Sequence, residues 1–216
     1  YRVILFDLRN HGRSPWSSEH TYESMAKDVV QSLDALGLDK CNFIGHSMGG
    51  KVLMHLALEN ENYIDKMIVV DMGIKSYPMH HQDVVRAIQS VDIENVSARS
   101  QVYEMLKPML QNEGLIQFLL KNLYWKEKGV LAWRMNTQVL IDRMTEVLSS
   151  LPEGEVFNET LFIRGAQSNY ILDEDISAIE NQFQNCNVVT IENAGHWVHA
   201  ESPEVFIQSV LSFLLR

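Results

Sequence analysis

Positive charge is in short supply in this 216-residue sequence: 18 lysines and arginines stand against 28 aspartates and glutamates, a formal net charge of -10. Without a basic excess to neutralise phosphates, nucleic acid and anionic membrane surfaces are excluded as principal partners. The acidic excess itself reads as a solvated surface. Cysteine is nearly absent. Cys41 and Cys186 each begin an apolar run and lack metal-ligand spacing, which excludes a disulfide-rich scaffold and a cysteine metal site. They read as reduced thiols of a cytoplasmic protein, with one disulfide between them still open. No apolar stretch is long enough to span a bilayer. Internal repeats and low-complexity linkers are missing too. With 46% hydrophobic residues, the length suits one sizeable core, so one domain with an insertion is expected.

What is present centres on Cys41 to Lys51, where the apolar Phe43 and Ile44 run into Gly45-His46-Ser47-Met48-Gly49-Gly50. Val52, Leu53, Leu56 and Ala57 follow at helical spacing. A strand, a one-residue reversal and a helix make a nucleophile elbow, which holds Ser47 strained with its hydroxyl above the sheet. A Cβ at Gly45 or Gly49 is expected to collide with the neighbouring element. The N-terminus of the helix favours an oxyanion nearby, and its first donor is the backbone N–H of Met48.

The rest of the chain alternates. Val3 to Phe6 form a continuous apolar run, so Tyr1 to Leu8 reads as a buried parallel strand, and a chain that starts inside a fold reads as a fragment of a longer product. Asp7 to Pro15 is a polar loop; its His11-Gly12 is either an oxyanion loop or part of a turn fixed by hydrogen bonds among the loop's own Asp, Arg and Ser residues. A helix runs from a Thr21 cap to Gly37, and a strand is expected at Lys66 to Asp71. From Gly73 to about Ser150 the pattern is helical with no obvious strand, including a stretch from Met135 to Leu148, and Pro108 kinks or ends one helix. This block reads as a cap inserted in the core. Met79, Met105, Met109, Phe118, Tyr124, Trp125 and Trp133 either line an apolar pocket there or form the cap's own core. His80 and His81 have no third partner, and no metal site is expected. Strands at Thr160 to Arg164 and Asn187 to Ile191, a helix from Asp173 to Phe183 and a last helix from Pro203 complete an α/β pattern with a mostly parallel sheet. The division is core at 1–72 and 151–216, cap at 73–150.

A serine needs a base, and the base an orienting acid. His196 follows Gly195 in the loop after the last strand, where the order nucleophile, acid, base requires it; His199 is the weaker candidate. For the acid, the loop after Thr160 to Arg164 offers Ser168 where an Asp is expected, with Asp173 further along. Asp71, ending the strand after the nucleophile helix, lies on the same rim of the sheet and is preferred, with Ser168 hydrogen-bonding the same imidazole. A turn cap beside Gly73 is the other reading of Asp71.

Three segments in order, Asp7 to Ser14, Phe43 to Lys51 and Ala194 to Glu201, together with Leu33-Asp34-Ala35-Leu36, resemble the YbfF-like esterase branch of the α/β-hydrolases over nearly the whole chain. The resemblance implies an acyl-ester hydrolase, with acyl thioesters as a second substrate class, needing no cofactor or metal. It assigns the acid to the position of Asp71 and a serine to that of Ser168. Members of that branch have further strands and a His-Gly oxyanion loop ahead of the position of Tyr1, the loop's strand lying between those at Tyr1 and Cys41. The chain is therefore expected to be N-terminally incomplete, with Met48 N–H as its oxyanion donor; one such donor is worth about 2.7–4 kcal/mol elsewhere. A perhydrolase or C–C hydrolase would use the same triad, whereas an epoxide hydrolase or dehalogenase would need a carboxylate in place of Ser47. A binding protein on a hydrolase fold, which would hold a ligand without turnover, is the non-enzymatic alternative.

Overall fold

Tyr22, Met25, Ala26, Val29 and Leu33 recur at helical spacing and are all buried, which sets the inner face of α1 (Tyr22–Leu36). Gly37 ends it at φ 65°, and Leu38 N–H returns to Leu33 O at 3.0 Å. β1 (Cys41–His46), α2 (Met48–Asn60) and β2 (Ile64–Val70) follow. Next come α3 (Gln82–Ser90), α4 (Arg99–Leu106), α5 (Glu113–Lys121), a hairpin of β3 (Leu123–Glu127) and β4 (Val130–Trp133), and the short α6 (Thr137–Asp142) and α7 (Met144–Val147). The chain closes with β5 (Glu159–Gly165), α8 (Asp173–Gln182), β6 (Cys186–Ile191), α9 (Val198–Glu201) and α10 (Pro203–Leu214). The computed structural model describes residues 1–79 and 82–216, in two compact units. His80 and His81 lie outside the described residues.

The unit formed by Tyr22–Ser76 and Ser149–Arg216 carries a four-stranded parallel sheet in the order β1-β2-β5-β6. Ile68, Val70, Leu161 and Ile163 turn one way, onto Val210 and Phe213 of α10. The alternate residues turn the other way: Val69 meets Gly50 of α2, and Phe162 packs edge-on against Phe183 at 5.1 Å. Both faces of the inner strands β2 and β5 are covered, which is why Met67 to Val70 and Leu161 to Ile163 read as unbroken apolar runs. α2 is buried almost all round and includes Lys51 and His55.

The other unit comprises Tyr1–Thr21 and Tyr77–Leu148. Its core joins Val102, Leu106, Ile116, Leu119, Leu123, Leu131 and Trp133. The helical expectation for this block needs two corrections. Leu123 to Trp133 is an antiparallel hairpin that turns at Gly129, φ 81°, where a helix would have to absorb a left-handed residue. Met135 to Leu148 breaks into two short helices at Arg143. Pro108 lies just past the end of α4, as its missing N–H requires. Of the apolar residues weighed as pocket or core, Trp133 and Met105 join the core, Tyr124 stacks under Arg134, and Met79, Met109, Phe118 and Trp125 are exposed.

Residues 1–8 are a further correction: they form no strand, and Val3 and Leu5 are 75% and 91% exposed. An apolar run becomes a strand only when neighbouring N–H and C=O groups meet its own, and among the described residues none lies alongside. The polar loop that follows is ordered by its own bonds. Arg13 N–H donates to Asp7 Oδ2 at 2.9 Å, Ser14 Oγ to Asp7 O at 2.5 Å, and Gly12 takes φ 56°, so His11-Gly12 is part of a turn. Asn10, buried at φ 66°, accepts from Ser17 N–H at 2.8 Å and Asn136 Nδ2 at 3.1 Å.

Candidate active site

β1 delivers Ser47 to the rim of the sheet. Its N–H still donates to Val70 O of β2 at 2.9 Å, but φ 53° and ψ -122° reverse the chain into α2, whose Gly50 and Lys51 N–H groups close on Ser47 O. The reversal needs room. A Cβ on Gly45 would overlap the carbonyl oxygen of Gly49, and one on Gly50 would stand 3.0 Å from Gly45 O and Val69 Cγ1. Gly49 has open space where its Cβ would be, so Gly50, not Gly49, is the second position where bulk is excluded. Met48 opens α2, where a helix's first N–H groups have no intrahelical acceptor.

Asp71 follows β2, also at a positive φ, 48°, and is wholly buried. One carboxylate oxygen accepts Gly165 N–H at 3.1 Å; the other accepts both Ser168 Oγ–H and His196 Nδ1–H, the latter at 2.8 Å. A carboxylate only accepts, so His196 carries its proton on Nδ1 and turns the lone pair of Nε2 to the Ser47 hydroxyl, 3.1 Å away. Ser47, His196 and Asp71 thus form one hydrogen-bonded chain, whereas Ser168 departs from expectation: its hydroxyl bonds the Asp71 carboxylate and not the imidazole, whose two nitrogens already face Asp71 and Ser47. Asp173 is elsewhere: it pairs with Arg164, which also bonds Thr190 Oγ1 at 2.8 Å. His199 does not face Ser47; it sits edge-on to His46 at 5.0 Å.

Three neighbours escaped the sequence reading. Tyr170 stacks on the His196 ring at 4.0 Å and 18°, and burial beside Asp71 pushes its phenol pKa up. His46 and Glu201 bond the backbone around His196. The last two lie inside recognised motifs, at the residue before the nucleophile and at the end of Ala194 to Glu201, so position marked them even though pattern assigned them nothing. No signal marked Tyr170. Among the described residues no group of three or more His, Cys, Asp and Glu side chains converges as a metal site would need, and no helix is long and apolar enough to cross a membrane.

This arrangement can take a proton from a serine hydroxyl and hold the resulting imidazolium against a buried carboxylate, the chemistry of acyl transfer. The family model for the alpha/beta hydrolase fold matches residues 1–95. The chain is 35% identical over 217 residues to Esterase YbfF of Escherichia coli (strain K12), covering 99% of this chain and 83% of that protein. The chain belongs to the YbfF-like esterases of the α/β-hydrolase superfamily. It is also 35% identical over 220 residues to the sn-1-specific diacylglycerol lipase ABHD11 of Mus musculus, covering 99% of this chain and 71% of that one. A solved structure described as a marine microorganism esterase superposes with a TM-score of 0.93 at 35% identity, over 96% of this chain and 82% of that one. By this membership the chain is an ester-cleaving hydrolase, and the strands, crossovers and elbow described above are those of its fold.

Proposed function

We propose that the protein hydrolyses carboxylic esters of short to medium acyl chains through an acyl-serine intermediate on Ser47. The observation that carries this reading is the unbroken chain from Ser47 Oγ through His196 to Asp71, at 3.1 and 2.8 Å. Ser47 Oγ attacks the ester carbonyl while its proton passes to His196 Nε2, and the carbonyl becomes an oxyanion beside Met48 N–H. Collapse of the tetrahedral intermediate breaks the C–O bond, the alcohol leaves with the proton from His196, and the acyl group stays on Ser47. A water deprotonated by the same Nε2 then releases the acid and restores the serine. Asp71 orients the imidazole and opposes its transient charge, with Ser168 and Gly165 N–H holding the carboxylate.

The substrate is a small-molecule acyl ester; an acyl thioester would be handled by the same atoms. Residues 73–150 are read as a cap inserted in a core of 1–72 and 151–216; the separate apolar cluster within Tyr77–Leu148 supports the cap, while Tyr1–Thr21 groups with that segment rather than with the rest of 1–72. A cytoplasmic location is supported by the thiols: Cys41 and Cys186 are free and lie on the two outer strands, about 14 Å apart at three strand spacings. The test is intact mass after exposure to a fluorophosphonate, beside hydrolysis of a short p-nitrophenyl ester. One label per chain and turnover, both lost in Ser47→Ala, are expected; a folded protein that neither labels nor turns over refutes the assignment.

A further inference from the structure

The backbone that carries His196 is held from two sides. His46 directs Nε2 at His196 O, 2.8 Å away, and because a carbonyl only accepts, that nitrogen bears the proton. On the other side Glu201 takes the N–H groups flanking His196, Gly195 N–H on Oε2 at 2.6 Å and Trp197 N–H on Oε1 at 3.2 Å. His46 thus meets the carbonyl of residue 196 and Glu201 the N–H groups on either side of it, while Trp197 O accepts the Ala200 and Glu201 N–H groups at the start of α9. The imidazole's own bonds to Asp71 and Ser47 act on the ring, whereas those of His46 and Glu201 act on the peptide that carries it.

We propose that His46 and Glu201 are positioning residues for ester hydrolysis, a two-sided clamp on the 195–197 backbone that keeps the His196 imidazole in line with Ser47. The proposal rests on the reading of Ser47, His196 and Asp71 given above. A displacement of about 1 Å in reacting groups can lower a rate by about 100-fold, so an anchor on this backbone bears directly on kcat. His46 suits the task electrostatically. Burial lowers its pKa to about 4, helped by His196 and His199 and opposed by its bond to His196 O and by Asp71. Its ring lies 4.7 Å from that of His196 and 5.3 Å from Trp197. A neutral ring supplies the donor without setting a positive charge beside the imidazolium that His196 becomes during turnover.

The experiment compares His46→Phe, which keeps a ring and loses the donor, with His46→Gln, which keeps a donor, and with Glu201→Ala and the double variant His46→Phe/Glu201→Ala. Readouts are kcat and KM on a p-nitrophenyl ester and the rate of fluorophosphonate labelling. His46→Phe and Glu201→Ala should each lower kcat by roughly 10- to 100-fold with KM within about twofold, and labelling should slow in parallel. His46→Gln should stay within about threefold of the parent, and the double variant should lose much less than the product of the single losses, because a loop freed at one point has less to lose at the other. An unchanged kcat in His46→Phe, equal damage in His46→Gln, or multiplicative losses would overturn the clamp. If His46→Phe does not fold, imidazole nitrogen NMR of the unmodified protein decides: an Nε2–H tautomer at His46 upholds the clamp and an Nδ1–H tautomer sinks it. Ser47→Ala and His196→Ala keep the two readings apart. Activity persisting in those variants refutes the triad itself, whereas its loss there alongside an unaffected His46→Phe refutes only the clamp.

Discussion

Asp71→Asn separates the preferred acid from its rivals by changing one atom. The carboxylate is wholly buried and accepts three hydrogen bonds, from Gly165 N–H at 3.1 Å, from His196 Nδ1–H at 2.8 Å and from Ser168 Oγ–H. An asparagine of the same shape keeps Oδ1 for Gly165, but sets an NH2 group where Oδ2 was. Both groups that faced Oδ2 are donors. Ser168 can rotate its hydroxyl away, whereas His196 relieves the conflict only by moving its proton from Nδ1 to Nε2, the nitrogen that has to accept from Ser47. The same substitution in serine-protease triads lowers kcat by about 10⁴ through this tautomer switch. At about 1.36 kcal/mol per decade that is about 5.4 kcal/mol of transition-state stabilisation. The expected result is a fall in kcat of roughly 10³- to 10⁴-fold on a p-nitrophenyl ester with little change in KM. Asp173→Asn should change kcat by less than about twofold, since Asp173 is exposed and pairs with Arg164. Retention of more than about a tenth of kcat in Asp71→Asn, with an intact thermal transition, would refute the assignment of the acid.

Three stability predictions follow from other parts of the chain. Lys51 is wholly buried with Nζ donating to Lys75 O at 3.0 Å, and burial lowers its pKa from 10.5 to about 7. Between those values the unfolded chain binds the extra proton, so stability should climb with pH by up to about 1.4 kcal/mol per unit; in Lys51→Met the urea midpoints at about pH 7 and pH 9 should differ less, and an unchanged difference refutes the point. Gly45→Ala forces a Cβ onto the backbone of Gly49 and Gly50 and should cost at least about 2 kcal/mol, while Gly49→Ala, with open space, should leave the melting temperature unchanged or raise it by up to about 1 kcal/mol in equivalent stability; thermal melts that fail to separate the two variants count against the elbow geometry. Asn10→Ala removes the acceptor of Ser17 N–H and the partner of Asn136 from a buried left-handed position, and should cost about 2–4 kcal/mol in urea denaturation, with a loss under about 0.5 kcal/mol as the contrary result.

The parts of this fold that a sequence displays are those set by local chemistry. The elbow, α1 with its apolar stripe and Gly37 stop, and the strands β2, β5 and β6 lie within a residue or two of where pattern puts them, because each is determined by its own side chains. Ser47 and His196 were visible for the same reason. What pattern misjudged depends on neighbours. Val3 to Phe6 has every local mark of a strand and forms none, since pairing is a property of two segments. Leu123 to Trp133 alternates poorly, with a bulge between Trp125 and Glu127, so its hairpin was hidden inside a helical block. Gly49 looked as constrained as Gly45, and only the approach of α2 to β1 distinguishes them. Asp71 and Ser168 are intermediate: their chain positions made them candidates, but that Ser168 bonds the Asp71 carboxylate, and only Asp71 the imidazole, depends on β2 and β5 being adjacent.

That adjacency also explains how distant strands can build one site. Each residue leaving a strand still donates into the next strand over: Ser47 N–H to Val70 O of β2, Asp71 N–H to Ile163 O of β5, and Ala166 N–H to Ile191 O of β6, at 2.9, 2.7 and 3.0 Å. These bonds hold Ser47 and Asp71 at left-handed φ, a strain of about 1–3 kcal/mol apiece that persists only where the surroundings over-determine it. The turn lifts both side chains off the ladder at the same rim. β1 and β6 are the outer strands, about 14 Å apart at three strand spacings, yet His196 of the loop after β6 reaches Ser47 after β1. The loop must therefore run back over the ends of β5 and β2. It crosses at Gly165, where any Cβ would overlap the carbonyl oxygens of Ala194 and Gly195, and where the backbone N–H turns instead to Asp71. Glycine at the end of β5 is thus as much a condition for the Ser47–His196 contact as the glycine before the nucleophile: one lets the elbow close on its helix, the other lets the base return across the sheet.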